Sequence, residues 1–417
     1  MGEFVYKEEY QYLSDACLNL TDACNLACRY CFVEQHPHYM SLETAKKAAD
    51  FLYKNLQIKK EKFNYNKKEQ AGITFFGGEP TLLWDEIIVP LVNYCNEKYP
   101  NSFNFTITTN CTLLNSERIK FLKENKIFPL LSIDGAKRTQ DYNRPCHNSN
   151  QSSFDLLANN MLEVLENFPT TTFRSTIDQN TVQYLYENYL FAEICGFKNW
   201  YAMPNCREKW TKENVNKLKE QYTKIYTYRL LQFQNNIMPM GAVIIDDSFK
   251  RLAQMDIARL SNPKEIPNPC RTVVRCGMGT SNGSIGYDGT IYGCQEQPSR
   301  DDKNIFVIGN LETGINKEKH FRLLKEYNKQ QIAYCENKEK CNSCQLRPIC
   351  ATYACPSTSW DLYQNFTTNT EIGCDWLNML VDLAANTSKI LVKENNEIFK
   401  NYLIYNCNYE DYYKEDE

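Results

Sequence analysis

Histidine is scarce in this chain, with four in 417 residues, and two of those, His36 and His38, lie two positions apart. A catalytic zinc site of the histidine-rich kind is therefore disfavoured. Also missing is any apolar run near the roughly 20 residues needed to cross a bilayer, and the start MGEFVYKEEYQYL has neither the basic head nor the apolar middle of a signal peptide. A cytoplasmic protein without membrane contact is expected. Excess charge of one sign is missing too: the net charge is −4, with acids and bases interspersed. That excludes the broad basic footprint of a nucleic-acid binder, though not a groove for one peptide.

What the chain has in quantity is cysteine, 19 residues of it. Without an export signal a disulfide framework is not expected, so metal or redox chemistry becomes the leading explanation. Thiolate-rich, histidine-poor usage fits zinc ribbons or iron-sulfur clusters. A hydrophobic content of 42% over 417 residues allows a large buried core.

The first half alternates extended and helical segments. Ser41 can cap a helix to about Leu56, with Ala45, Ala48, Ala49, Leu52 and Leu56 near helical spacing. Strands are expected at Cys17 to Leu20, GITFF (72–76), FNFTITTN with Phe103, Phe105 and Ile107 at period two, PLLSID (129–134), TTFRSTI (171–177) and NWYAM (199–203). Helices are expected around Trp84 to Tyr94 and from about Asn115. Six strand-helix units argue for an α/β fold, a parallel sheet with helices outside. An amphipathic helix follows from about Thr211 to Phe233. Pro263, Pro267 and Pro269 then mark a boundary before a cysteine-rich region, a helical region from about Trp376 and an acidic tail.

Ligands of parallel α/β proteins gather at the C-terminal ends of the strands. The unusual residues sit there: CNLACRYC after the first strand, GGEP after the second, TTNC after the third and SIDG after the fourth. Cys24, Cys28 and Cys31, at CxxxCxxC spacing, can converge on one centre. Zinc would need a fourth ligand, for which His36 or His38 is available, and an electron-transfer cubane would need a fourth cysteine. A cubane held by three thiolates leaves one iron open to a substrate or cofactor.

CxxxCxxC with an aromatic, Tyr30, before its last cysteine resembles the signature of radical S-adenosylmethionine enzymes, whose partial (β/α)6 barrel matches the alternation above. The resemblance implies that S-adenosylmethionine chelates the open iron and is cleaved by an electron from the cluster to a 5'-deoxyadenosyl radical. It assigns the cofactor's surroundings to Tyr30, Gly77, Gly78, Glu79, Pro80, Thr108, Asn110, Ser132, Asp134, Arg144 and Met203. Glu79 is expected to offer its carboxylate to the amino group, and Ser132 and Asp134 to point at the same rim. Arg144 is expected to pair with the methionyl carboxylate. Where related enzymes often carry glycine, this chain has Cys111, a packed residue or a reactive thiol.

Eight further cysteines resemble a SPASM extension, which holds two closed auxiliary clusters. By that resemblance Cys270, Cys276, Cys294 and Cys355 hold the first, and Cys341, Cys344, Cys350 and Cys374 the second. The chain would thus carry three [4Fe-4S] clusters and be oxygen-sensitive. Four residues rather than three separate Cys350 from Cys355. Cysteines 17, 95, 146, 195, 206, 335 and 407 are read as packing or surface residues, with Cys335 near enough to replace a ligand. The expected domains are a radical barrel over 1–208, a helical bridge completing it over 209–265, a SPASM domain over 266–376, and C-terminal helices with an acidic tail over 377–417.

SPASM enzymes commonly modify peptides or proteins. Sulfatase-maturing members place an aspartate base directly after the cysteine of a YPC-like phrase, where this chain has Gln295, an amide that accepts no proton. Glu296 could substitute only with shifted geometry. Gln295, Glu296 and Cys111 are the candidate catalytic residues. The expected reaction is intramolecular crosslinking of a ribosomally made precursor peptide, foremost a cysteine thioether. Alternatives are carbon-carbon or carbon-oxygen crosslinking, epimerisation, or formylglycine formation on a sulfatase. An iron-sulfur electron carrier or a zinc-binding module would lack the rim motifs. Expected partners are the peptide, a flavodoxin- or ferredoxin-type electron donor and, in one variant, a separate leader-binding protein.

Overall fold

The structure is a computed structural model that describes residues 4–66, 69–148, 150–260, 276–298, 304–337, 344, 346, 355–366, 368 and 370–407. From the N-terminus, β1 (Asp15–Thr21), α1 (Leu42–Lys62), β2 (Ala71–Gly77), α2 (Val89–Lys98), β3 (Phe103–Thr109), α3 (Ser116–Glu124) and β4 (Phe128–Ser132) alternate strand and helix. Next come α4 (Lys137–Asn143), α5 (Ser153–Asn167), β5 (Thr172–Ile177), α6 (Leu185–Ile194) and β6 (Asn199–Pro204). α7 (Lys212–Gln234), β7 (Gly241–Ala242) and α8 (Val243–Leu260) follow. The cysteine-rich part contributes β8 (Ser284–Ile285), β9 (Thr290–Tyr292), β10 (Val307–Asn310), β11 (Gly314–Ile315) and α9 (Lys317–Asn337). α10 (Pro356–Tyr363), α11 (Glu371–Lys393) and α12 (Glu397–Cys407) end the described chain.

Two compact units result, one from residues within 1–132, 144–171 and 272–330, the other from those within 133–143, 172–271 and 331–417. In the first, the strand order is β11-β10-β9-β8-β1-β2-β3-β4. β1 to β4 pair parallel, and β8 adds to β1 in parallel, Cys17 opposite Ser284. β9, β10 and β11 then continue antiparallel. In the second unit β5, β6 and β7 pair parallel, while α11 packs on α7 and α8. The six β/α repeats are those of a partial (β/α)6 barrel.

The strands alternate in burial, and this has a functional consequence. Ile73, Phe75, Phe103, Phe105, Ile107 and Leu131 are buried, each worth roughly 1.5–3 kcal/mol for a side chain taken from water. The alternate residues Thr74, Thr106, Thr108, Leu130 and Ser132 stay half-exposed. A closed barrel fills that face with branched apolar side chains. Here it is largely polar and accessible, as a substrate-bearing wall requires.

Two helices depart from expectation for local reasons. Ser41 Oγ accepts from the Thr44 N–H as the cap of α1, but the helix runs past Leu56 because Lys59 is buried and its Nζ bonds Ser14 Oγ at 3.1 Å. The helix expected from Trp84 opens instead with a π-turn over Trp84–Ile88, in which the Val89 N–H bonds the Trp84 carbonyl. Pro90 has no N–H to continue the ordinary ladder, so the turn before it is wider.

In the second unit a buried ion pair and its hydrogen-bond partners join four helices, α6, α7, α8 and α12. Arg229 on α7 is fully buried and bonds Asp246 on α8 at 3.0 Å, the Met240 carbonyl, and the hydroxyls of Tyr189 and Tyr402. Tyr402, on α12, also donates to Asp246.

Candidate cofactor and cluster site

The GGEP turn is held against the chain entering the cysteine loop. The Gly78 N–H bonds the Thr21 carbonyl at 2.7 Å and the Glu79 N–H bonds the Ala23 carbonyl at 3.0 Å. Side chains cannot be tolerated at that approach: a Cβ on Gly77, whose φ is +131°, would lie 2.4 Å from the Thr21 oxygen, and one on Gly78 2.2 Å from the Ala23 oxygen. The two glycines thus permit a close backbone approach to the chain that enters the cysteine loop.

Glu79 is held by the chain itself. Its carboxylate is buried and accepts from Thr81 N and Thr81 Oγ1 at 3.1 and 2.5 Å, Thr109 Oγ1 at 2.8 Å and Asn110 N at 2.8 Å. Those four donors hold the carboxylate within the chain, where it ties the end of β2 to the end of β3. Burial raises its pKa, and the donors from Asn110, Thr81 and Thr109 offset part of that rise.

Asn110 carries the tie onward. Its Nδ2 bonds Asn25 Oδ1 at 2.9 Å and lies 3.9 Å from Cys24 Sγ, while its Oδ1 accepts from Thr112. Cys111 beside it is fully buried with a φ of +67°. Burial pushes its thiol pKa up, with the Glu79 carboxylate adding to the effect, so the residue acts as packing rather than as a nucleophile.

Cys24, Cys28 and Cys31 lie on the loop that these contacts shape. Cys24 Sγ accepts from the Leu26 N–H at 3.4 Å, and Arg144 Nη1 reaches Cys28 Sγ at 3.9 Å. The Arg144 guanidinium also lies over the Tyr30 ring, 5.4 Å from its centroid, and the Pro145 carbonyl accepts from the Ala27 N–H at 2.7 Å. Arg144 is thereby brought to the cysteine loop. The Cys24 thiol is pushed up to about 12, first by burial, then by Glu79 and its two companion cysteines. Cationic charge, such as bound iron would supply, favours ionisation of thiols that share one loop.

Three cysteines on one loop suit a polynuclear cluster by number, since a closed zinc site needs a fourth ligand. Tetrahedral zinc at about 2.3 Å per thiolate would require sulfurs about 3.8 Å apart. Among the described residues no three His, Cys, Asp or Glu side chains gather around one point in that way. His38 is otherwise engaged, its Nδ1 3.0 Å from Asp22 Oδ2 and its ring stacked on Tyr287 at 4.5 Å. A cluster takes each thiolate on a different iron, and N–H donors toward the sulfurs suit its negative charge.

Asp134 and Met203 belong to the second unit. Asp134 does not point to a rim: it is buried, with Oδ1 accepting from the Thr176 N–H and Oδ2 from Asn143 Nδ2, both at 3.0 Å. It fastens the SIDG turn to β5 and α4. Met203 stays half-exposed on β6 and accepts from the Tyr201 hydroxyl at 3.0 Å. Ser132 and Thr108 are half-buried.

Cys17, read from sequence as packing or surface, lines a cavity that opens beside the first halves of β1 to β4. It lies on the polar face of β1 and donates from Sγ to Gln295 Oε1 at 2.9 Å. Both line this cavity, of about 430 Å³, together with Thr74, Thr106, Thr108 and Leu130. Burial pushes the Cys17 thiol up to about 12, against a smaller lowering by Thr74. The odd position of Cys17 in β1, on the face of Thr74 and Thr106, was the available signal.

Of the cysteines that the resemblance assigns to auxiliary clusters, Cys276 and Cys294 lie on neighbouring arms in the first unit. The Gly279 N–H bonds the carbonyls of Asn282 and Gly293, and Ser284 Oγ bonds the Cys294 carbonyl. In the second unit Cys344 packs on the cluster of Leu346, Leu377 and Val381, and Leu377 lies one helical turn beyond Cys374 on α11. Cys355 caps α10 in the same unit. Cys270, Cys341 and Cys350 lie outside the described residues, as do the side chains of Cys335 and Cys407. Among the described residues no helix is long and apolar enough to cross a membrane.

Residues 18–191 match the Radical SAM superfamily. An uncharacterised protein of Methanocaldococcus jannaschii is 33% identical over 184 residues, 44% of this chain and 59% of that protein. The chain therefore spans less than two thirds of this relative's length. A cysteine-type anaerobic sulfatase-maturating enzyme of Clostridium novyi is 25% identical over 342 residues, covering 78% of this chain and 83% of the relative. The solved structure of anSMEcpe with bound AdoMet and Cp18Cys peptide superposes with a TM-score of 0.67 at 19% identity, covering 91% of this chain and 99% of that one. That likeness shows the shared fold.

Proposed function

We propose, for a chain whose residues 18–191 form a radical SAM domain, that it is a cytoplasmic peptide maturase which crosslinks a ribosomally made precursor, forming a cysteine thioether. The observation that carries this reading is Gln295. The position that the family resemblance gives to a carboxylate base is an amide here, hydrogen-bonded to the Cys17 thiol inside the cavity. Neither partner is an anion at neutral pH, since burial keeps the thiol protonated. A reaction that needs a base at this point is disfavoured, and one that needs a neutral wall is favoured.

With a cluster on Cys24, Cys28 and Cys31, S-adenosylmethionine supplies a carbon radical that abstracts hydrogen from an unactivated C–H bond. The chain's part is placement. Tyr30 and Arg144 flank the loop, Gly77 to Pro80 and Asn110 shape it, and Thr108, Ser132 and Met203 offer half-exposed contacts. Cys276 and Cys294, with Cys270 and Cys355, are assigned to one auxiliary cluster, and Cys341, Cys344, Cys350 and Cys374 to a second. When bound, such clusters would take up the second electron, and a flavodoxin- or ferredoxin-type protein would donate the first. The leader is bound by this chain or by a separate protein.

A second reading, oxidation of a sulfatase cysteine to formylglycine, is favoured by the likeness to the Clostridium novyi enzyme. Mass spectrometry separates the two. The chain is co-expressed anaerobically with a short cysteine-containing reading frame from its own gene neighbourhood, and separately with a sulfatase peptide. Loss of two hydrogens with retention of sulfur in the first peptide supports the thioether. Loss of sulfur from the second, abolished by Glu296→Gln, would establish the rival.

A further inference from the structure

On the face of β1 that carries Cys17, one buried side chain lacks a partner. Leu18 and Leu20 are fully buried, and period-two alternation sets Asn19 on the opposite face, beside Cys17. Asn19 is 5% exposed, and its Nδ2 has no hydrogen-bond partner among the described residues. The polar side chains one step back along the strands pair with one another. Cys17 donates to Gln295 Oε1 at 2.9 Å, and the Thr74 and Thr106 hydroxyls are 2.7 Å apart.

Strand register places the Asn19 amide at the cavity. One row of this face runs from Cys17, opposite Thr74, to Thr106, and the next from Asn19, opposite Phe76, to Thr108, opposite Leu130. Cys17, Thr74 and Thr106 of the first row line the cavity, and so do Thr108 and Leu130 of the second. The cavity thus reaches the row of Asn19, on the strand that leads into the cysteine loop, and it lies wholly within the first unit. Its volume of about 430 Å³ is that of a ligand site. Of the side chains that line it only Asp15 is charged, and Asp15 is exposed at the start of β1.

A carboxamide buried without a partner weakens the fold, and a ligand that supplies the missing group recovers the loss. What a carboxamide matches is a peptide bond, which carries the same donor and acceptor pair. The neutral wall adds a second condition. A charged side chain entering it would give up its water without gaining a counter-ion.

We propose that Asn19 is a specificity-determining residue for a peptide: its carboxamide takes a backbone amide of that peptide, and the cavity beside it admits the flanking residue only when that residue is uncharged. The inference rests on the reading of this chain as one that acts on a peptide. Asn19 holds the peptide in place and takes no part in bond making or breaking.

The test uses the full chain, reconstituted anaerobically with iron and sulfide and saturated with S-adenosylmethionine. It is titrated calorimetrically with a blocked peptide, acetyl-Gly-Ser-Cys-Ser-Gly-amide, and with the same peptide carrying Asp or Lys in place of each Ser. The neutral peptide should bind at least about tenfold more tightly than either charged one. Asn19→Leu, similar in size and without polar atoms, should weaken the neutral peptide at least about tenfold and also raise the urea midpoint of the peptide-free chain, because the unpartnered amide is gone. Gln295→Glu should turn the preference toward the Lys peptide. A lowered urea midpoint for Asn19→Leu, or its failure to fold, would overturn the proposal by showing that the fold itself satisfies Asn19. Loss of S-adenosylmethionine affinity in that variant, with peptide affinity kept, would overturn it too. Equal binding of neutral and charged peptides, or peptide binding indifferent to Asn19→Leu, would overturn it while leaving the peptide reading intact. A parent chain that binds none of the three peptides would overturn this inference, and the mass-spectrometric comparison above decides the peptide reading separately.

Discussion

Cys111 holds a left-handed backbone conformation that costs a non-glycine residue roughly 1–2 kcal/mol. Cys111→Gly should relieve that strain while losing a small buried side chain, leaving thermal stability within about 1 kcal/mol of the parent. Cys111→Val, β-branched at the same φ, should cost at least about 2 kcal/mol. His320 gives a pH signature. Burial lowers its pKa from 6.5 to about 4, so the unfolded chain takes up a proton that the folded chain refuses. Its stabilising contribution is full above pH 6.5 and lost as pH falls toward 4, by about 3 kcal/mol. Chemical denaturation at both pH values should show that loss, and His320→Gln should lack it. Sequence made the cysteine loop and Gln295 visible because their spacing is local. The bonding of Glu79 and Asp134 within the chain, and the placement of Cys17 against Gln295, depend on partners 30 to 278 positions away and carry no local pattern.

At the level of elements, the strands and their helices were legible because alternation at period two and caps such as Ser41, Asn115 and Thr211 are written in adjacent residues. The extension of α1 past Leu56 was not, since it depends on Ser14, brought by packing, and the π-turn before Pro90 leaves no mark in the apolar periodicity. Gly78 is where the GGEP turn meets the cysteine loop closely. Gly78→Ala should separate the GGEP turn from the cysteine loop, and S-adenosylmethionine cleavage should fall at least tenfold while α/β circular dichroism is kept. The buried pair between α7 and α8 predicts a different outcome. Asp246→Ala leaves Arg229 charged and unpaired by a carboxylate, and should cost about 3–5 kcal/mol in urea denaturation.

For the whole molecule, the polar strand face, the glycine-fitted cysteine loop and the neutral cavity wall describe one design: a site that is structured before any ligand arrives. The domain assignment of the cysteine-rich region remains this account's proposal, and its first part is already joined to the barrel strands through β8 on β1. The central claim is that three thiolates on one loop hold a cluster with an open iron for S-adenosylmethionine. Anaerobically purified protein, reduced with dithionite and given S-adenosylmethionine, tests it most directly by the yield of 5'-deoxyadenosine. The account predicts brown protein that forms this product, and none from Cys24→Ala. Colourless protein with full zinc occupancy and no 5'-deoxyadenosine would contradict it.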